Sequence, residues 1–356
     1  MKYNGEKLQV TVLGSSHAPA VGALIEGLPA GIHIDMEQLA ALMARRAPGR
    51  MALTSTRQEA DEVEFISGLN NGVTCGAPIH LSIRNKDVRS ADYEAIRNIP
   101  RPSHADYPAR IKYGDDWDGR GGGQFSARMT APLCAAGGIA LQILAAQGVY
   151  VGAHLAAVGP VDDEAFDAMT VGREQFERIL TNGFPVLDAE KGKEMQQQIA
   201  AALEAQDSVG GIVECAVTGL PVGLGGPLFE GVESRLSAAL FAIPAVRGVE
   251  FGCGFGAAHM NGSQHNDPYG IRGAGITPLS NNAGGILGGM TTGLPLIVRV
   301  GFKPTPSIGQ AQRSVDMKSM KEVELRISGR HDACVATRAV PIAEAMTALV
   351  LLDMML

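Results

Sequence analysis

Asp118-Gly119-Arg120-Gly121-Gly122-Gly123-Gln124-Phe125-Ser126-Ala127-Arg128 leads into an alanine-rich run from about Pro132 to Gln147, and the class of the fold turns on this junction. A glycine-rich turn ahead of a helix is where a dinucleotide or nucleoside-triphosphate site would show itself. Yet no GxGxxG lies between a strand and a helix, and GxxxxGK[ST] occurs nowhere, so the Rossmann and P-loop readings fail. Thr130 is placed to cap the alanine-rich helix, whose small residues suit close packing in an interior. Outward from this junction, Leu8–Leu13, Val63–Ile66, Pro78–Arg84, Gly211–Thr218 and Leu296–Val300 read as strands. Asp35 caps a helix ending at Arg45-Arg46. Lys193–Gln206 and Val232–Phe241 read as amphipathic helices, and Pro341–Leu356 as a largely buried one. Without a regular βαβ alternation, the fold class is α+β.

The glycines, 45 in 356 residues, are spread along the whole length without a period, and no linker or repeat appears, so residues 1–356 read as a single domain with long functional loops. A net charge of −7 argues against a diffuse basic nucleic-acid surface. The cations are 21 Arg to 9 Lys, a bias suited to bidentate capture of carboxylate and phosphate. Five scattered cysteines form no CxxC pair, so no zinc or other metal site is expected, and with the polar Met1–Val10 start they point to the cytoplasm. No apolar run of the roughly 18–20 residues needed to span a membrane is expected; the nearest is Ala345–Leu356. HExxH and GxSxG are absent.

Four loops can carry chemistry. In Gly14-Ser15-Ser16-His17-Ala18, His17 is a general acid, an anion ligand or an ordinary loop histidine. In Arg101-Pro102-Ser103-His104-Ala105-Asp106-Tyr107, Asp106 is placed to orient His104. The triple-glycine turn at 121–123 is either an anion nest or a structural hairpin. In Gly329-Arg330-His331-Asp332-Ala333-Cys334, followed by Arg338, the carboxylate is either a loop ion pair or a base with a tuned pKa.

Taken together and in order, these loops resemble the chorismate synthase family, from the first strand to the last helix. The resemblance extends to Asp207-Ser208-Val209-Gly210-Gly211, Ile243–Glu250, Asn281–Gly289, Phe302–Ile308 and Arg338-Ala339-Val340-Pro341. It implies a sandwich of helices between β-sheets and a homotetramer. It also implies 1,4-anti elimination of phosphate from 5-enolpyruvylshikimate 3-phosphate to give chorismate. Reduced FMN is required although the reaction is redox-neutral, and NADPH is a candidate reductant. By resemblance, the catalytic residues are His17, His104 and Asp332, and Ser16, Arg46, Arg57, Arg128 and Arg338 bind substrate. Gln124, Phe125, Ser126, Pro244, Ala245, Gly288, Lys303, Pro304, Thr305, Pro306, Ser307 and Arg330 are expected to bind FMN.

Some positions depart from the family pattern. Ser15 stands where an acid is usual and Ala18 where glycine is. Gln124 replaces Arg or His, Ala52 a frequent arginine, and Ala333 a proline. Two rival readings follow: a diverged flavin-binding homologue acting on another anion, and a non-catalytic scaffold.

Overall fold

The structure, a computed structural model, describes residues 1–49, 59–86, 96–273, 275–327 and 331–356. Two five-stranded antiparallel sheets face each other across helices. The first contains β1 (Lys2–Asn4), β2 (Gln9–Gly14), β3 (Ala20–Glu26), β4 (Glu64–Ser67) and β5 (Ile79–Arg84), in the order β1-β2-β3-β5-β4. The second contains β6 (Tyr150–Val158), β7 (Val161–Asp162), β8 (Gly211–Thr218), β9 (Val246–Phe251) and β10 (Leu296–Phe302), in the order β9-β10-β8-β6-β7. Among the described residues, the helices of eight residues or more are α1 (Met36–Arg46), α2 (Asp106–Tyr113), α3 (Thr130–Ala146), α4 (Arg173–Thr181), α5 (Ala189–Glu204), α6 (Val232–Leu240) and α7 (Ala336–Met355).

The layers follow from which faces are apolar. Helix α3 packs on β2, β3 and β5, α7 packs on β6 and β8, and the two helices pack on each other. Helices α3 and α7 are apolar almost all round, as expected for helices covered on both sides. At their crossing Gly137 meets Ala345 so closely that a Cβ would come 2.5 Å from the Ala345 Cα, so only glycine fits. One hydrophobic cluster runs from Val10 and Leu81 in the first sheet, through Ile139 and Leu349, to Leu155 and Val298 in the second.

Several sequence expectations are corrected. Thr130 is not a cap: it lies inside α3, and its hydroxyl donates to Ala127 O at 2.6 Å. Ser126 instead accepts from Arg128 N, ahead of the short turn leading into the helix. Helix α5 starts at Ala189, capped by Asp188, and α7 starts at Ala336 with Pro341 inside it. The segment Ala127–Ala146, with mean hydropathy 1.6, is long and apolar enough to cross a membrane, which was not expected. However, 72% of its most apolar window is buried inside the protein, as in a core helix.

Away from the candidate loops, β6 and β8 set His154 directly opposite Glu214. The imidazole contacts Asp163 Oδ2 through Nδ1 at 3.0 Å and Glu214 Oε2 through Nε2 at 3.1 Å, fully buried. Burial works against its charge, but the hydrogen bonds to Asp163 and Glu214 outweigh that and raise its pKa above 6.5. A raised folded-state pKa gives stability that is complete below about pH 6.5 and lost as pH rises through the folded value. The unfolding free energy measured from pH 6 upward should therefore fall by up to ~1.4 kcal/mol per pH unit, a slope that His154→Asn should lack. Parallel curves would show that the imidazole is neutral.

Candidate active site

His17 lies in the five-residue connection between β2 and β3, and the triple-glycine loop is pressed against it. Gly121 has φ +59°, and a Cβ there would come 2.5 Å from His17 Nδ1 and 2.9 Å from Ser16 Oγ. Glycine is thus required both for its conformation and for the space. Ser16 N donates to Gly123 O at 3.4 Å. The Ser16 hydroxyl is buried without a hydrogen-bond partner among the described residues. Ser15 offers His17 no carboxylate, but Asp118, just before the glycine turn, is near enough to share charge with it. Hydrogen bonds from Arg120 do most to hold the Asp118 carboxyl below its usual range, with His17 adding to the effect.

Asn85, just past the end of β5, ties this connection down. Its side-chain amide donates to Ser15 O (3.2 Å), Ser16 O (3.4 Å) and Ala18 O (2.7 Å), while its carbonyl accepts from Arg128 Nε at 2.8 Å. Arg128 pairs with Asp61 through Nη1 and lies 3.2 Å from Glu59, with Nη2 donating to Arg84 O. Arg46, at the end of α1, also pairs with Asp61. Both arginines and Asp61 are buried. Burial alone would raise the Asp61 pKa, yet the charges of Arg46 and Arg128 hold it below the usual carboxylate range. Arg338, in the first turn of α7, donates to Arg46 O at 3.0 Å and to Asp332 Oδ2 at 2.7 Å. Arg46, Arg128, Arg338 and Asp332 therefore form one cluster. Arg57, Ala52 and Arg330 lie outside the described residues.

His104 corrects one expectation. Asp106 does not orient it. That carboxylate is held bidentately by Arg101, at 2.7 Å from Nε and 2.8 Å from Nη2. His104 is fixed instead by Pro102 O on Nδ1 and Ser307 Oγ on Nε2, both at 2.9 Å. A carbonyl can only accept, so Nδ1 carries the proton and the Ser307 hydroxyl donates to Nε2. Burial, then the Arg101 charge, lowers its pKa to about 4. In flavin-free protein at pH 7, His104 should thus be neutral. An NMR titration with ¹³Cε1-histidine should give a midpoint near 4, and one near 6.5 would contradict the burial argument.

The remaining loops converge from distant positions. Lys303 N donates to Ala245 O (3.0 Å), and Lys303 Nζ to Ser103 O (2.7 Å) beside His104. Ser208 Oγ donates to Thr305 O (2.6 Å), and Val209 N to Ala333 O (2.8 Å), next to Asp332. Lys303, Pro304, Thr305, Pro306 and Ser307 thus lie between the His104 loop and the Asp332 segment. Phe125 is half exposed and meets Trp117 edge-on at 6.1 Å. Gln124 and Pro244 face a different space, a cavity of about 560 Å³ also lined by Met129, Leu133 and Met346. Gly288 sits in a turn packed on Gly225–Val232, apart from the Lys303 loop.

The loops' order matches a known family. A family model described as chorismate synthase matches residues 8–356. The chain belongs to the chorismate synthase family. Among curated proteins of that name, one from Thermococcus gammatolerans is 45% identical, over 99% of this chain and 97% of its own. Another, from Lancefieldella parvula, is 41% identical over 98% and 94%. A solved structure titled "Crystal Structure of Chorismate Synthase" superposes with TM-score 0.76 at 28% identity, covering 98% of this chain and 92% of that one. The expected α+β sandwich, with helices between sheets, is the architecture this chorismate synthase family member has. Sequence reasoning missed Asn85, Asp61 and Glu59. No local pattern marks them, because each acts through a partner distant in sequence.

Proposed function

We propose that this chain converts 5-enolpyruvylshikimate 3-phosphate to chorismate by 1,4-anti elimination, with reduced FMN as its required cofactor. The observation that supports this best is the hydrogen bonding of the matched loops, far apart in sequence, into adjoining clusters around His17, Asp332 and His104. In this reading Arg46, Arg128 and Arg338, with Arg57, form the basic cluster for a substrate bearing two carboxylates and a phosphate, Arg46 and Arg128 being already paired with Asp61 and Glu59. Ser16 offers its unpaired hydroxyl to that ligand. His17 gives its proton to the departing phosphate oxygen, and Asp332 takes the C6 proton as the second ring double bond forms.

The Lys303–Ser307 part of the set expected around FMN suits a flavin. Thr305 Oγ1 is buried without a partner among the described residues, a hydroxyl suited to a ligand oxygen. Lys303 beside it suits a phosphate. Ala245 has φ +75°, a conformation that side chains rarely adopt, kept in the loop that accepts from Lys303 N. Lys303 through Ser307 and Arg330 would hold the phosphate end. Phe125, Ser126 and Ala245 would border the ring system, whereas Gln124 and Pro244, on a separate cavity, and Gly288, in its own turn, are not brought to the Lys303 loop. When bound, reduced FMN supplies electron density to a reaction with no net redox change.

The finer parts of the proposal are a single domain over residues 1–356, a homotetramer, a cytoplasmic location and NADPH as one source of reduced flavin. Exposed Phe229, Phe255, Ile271 and Ile276 support the association of copies. An anaerobic assay with substrate and dithionite-reduced FMN tests the function, and phosphate release with chorismate formation is expected. Flavin binding without turnover would favour a diverged homologue, and folded protein that binds no flavin would favour a scaffold.

A further inference from the structure

We propose that Asn85 is a positioning residue that clamps the His17 connection to the anion-binding cluster. The inference rests on the function proposed above. The direction of the amide is fixed by its neighbours: three main-chain carbonyls can only accept, and Arg128 Nε can only donate. Asn85 N also donates to Pro19 O at 3.0 Å. One residue therefore gathers the carbonyls of Ser15, Ser16, Ala18 and Pro19, bracketing His17 on both sides.

Its other end makes the arrangement more than a loop anchor. The Asn85 carbonyl meets the same guanidinium that Asp61 and Glu59 hold, and Asp61 also holds Arg46. The proton donor and the groups that bind the leaving anion are thereby built on one hydrogen-bonded chain, Arg46–Asp61–Arg128–Asn85–His17 loop. Through its three bonds to the Ser15, Ser16 and Ala18 carbonyls, the Asn85 side chain links the spacing of the acid to that of the anion-binding cluster. A misplacement of about 1 Å at such a point costs up to roughly 10²-fold in rate.

Two substitutions separate the two ends of the clamp. Asn85→Ala removes both. Asn85→Asp keeps an acceptor for Arg128 but has no N–H for the loop carbonyls. Both variants should lower kcat at least tenfold and leave the substrate KM within threefold. Amide exchange in residues 14–19 should be at least tenfold faster, with exchange in α3 unchanged. A kcat within threefold of wild type in either variant, with the protein folded, would overturn the proposal. If wild type itself fails to turn over the substrate, the functional reading falls, and exchange then judges the clamp: unchanged protection of 14–19 in Asn85→Asp refutes it, and faster exchange sustains it. The aspartate is isosteric, so it remains informative if the alanine variant does not fold.

Discussion

Replacing His17 with alanine should slow turnover at least ~10²-fold, the lower end of what a positioned general acid contributes. A phosphate leaving group departs more easily when its bridging oxygen gains a proton, and His17 is the titratable group that the glycine loop encloses together with the Ser16 hydroxyl. The substitution should spare the fold. The connection keeps its shape through main-chain carbonyls bound to Asn85, and the imidazole is only half buried outside the core. The loss should appear in kcat more than in KM, because the arginines proposed to hold the anion, Arg46, Arg128 and Arg338, are unchanged. Anaerobic turnover with chemically reduced FMN is the measurement, paired with thermal melts of both proteins. A variant that stays within tenfold of wild type would remove His17 from the proton transfer.

Local features were legible in the sequence, and long-range ones were not. The Asp35 cap could be read because its carboxylate needs only Glu37 N and Gln38 N, two and three residues on. Thr130 does not cap because the signal upstream is not one helix start but two short turns over 120–129, with Ser126 capping the second. Strand β6 lacks the polar alternation of an exposed strand, since four consecutive residues from Gly152 to Leu155 are buried, and so carries no period-2 signal. At the site, adjacency suggested that Asp106 serves His104, but the planar fork of Arg101 matches a carboxylate on two bonds and an imidazole cannot compete. Asn85 and Arg128 lie 43 residues apart, and Arg128 and Asp61 lie 67 apart. Only the antiparallel first sheet and the glycine turn bring them together, and no spacing rule reports that.

Asp61→Ala should be the most destabilising single change considered for this protein, by about 3–5 kcal/mol, the usual cost of removing one partner from a buried ion pair. Its side chain is fully buried between the Arg46 and Arg128 guanidiniums, which are themselves almost inaccessible. Removing the carboxylate leaves two like charges facing each other out of water, with Glu59 3.2 Å from that of Arg128. Backbone conformation adds to the constraint, because Asp61 has φ +52°, which aspartate tolerates better than alanine does. The same group sets an acid limit. Its folded pKa is depressed, so its contribution is complete above the unfolded carboxylate value near 3.9 and is lost as pH falls through the folded value. Asp61→Asn, which keeps the shape, should also be destabilised at neutral pH and should lose less further stability than wild type on acidification. Urea denaturation of the three proteins between pH 7 and pH 3 is the measurement. If both variants unfold within about 1 kcal/mol of wild type at pH 7, the two arginines do not depend on this carboxylate for compensation. The chain from Arg46 to the His17 loop would then have to be held from its Asn85 end alone.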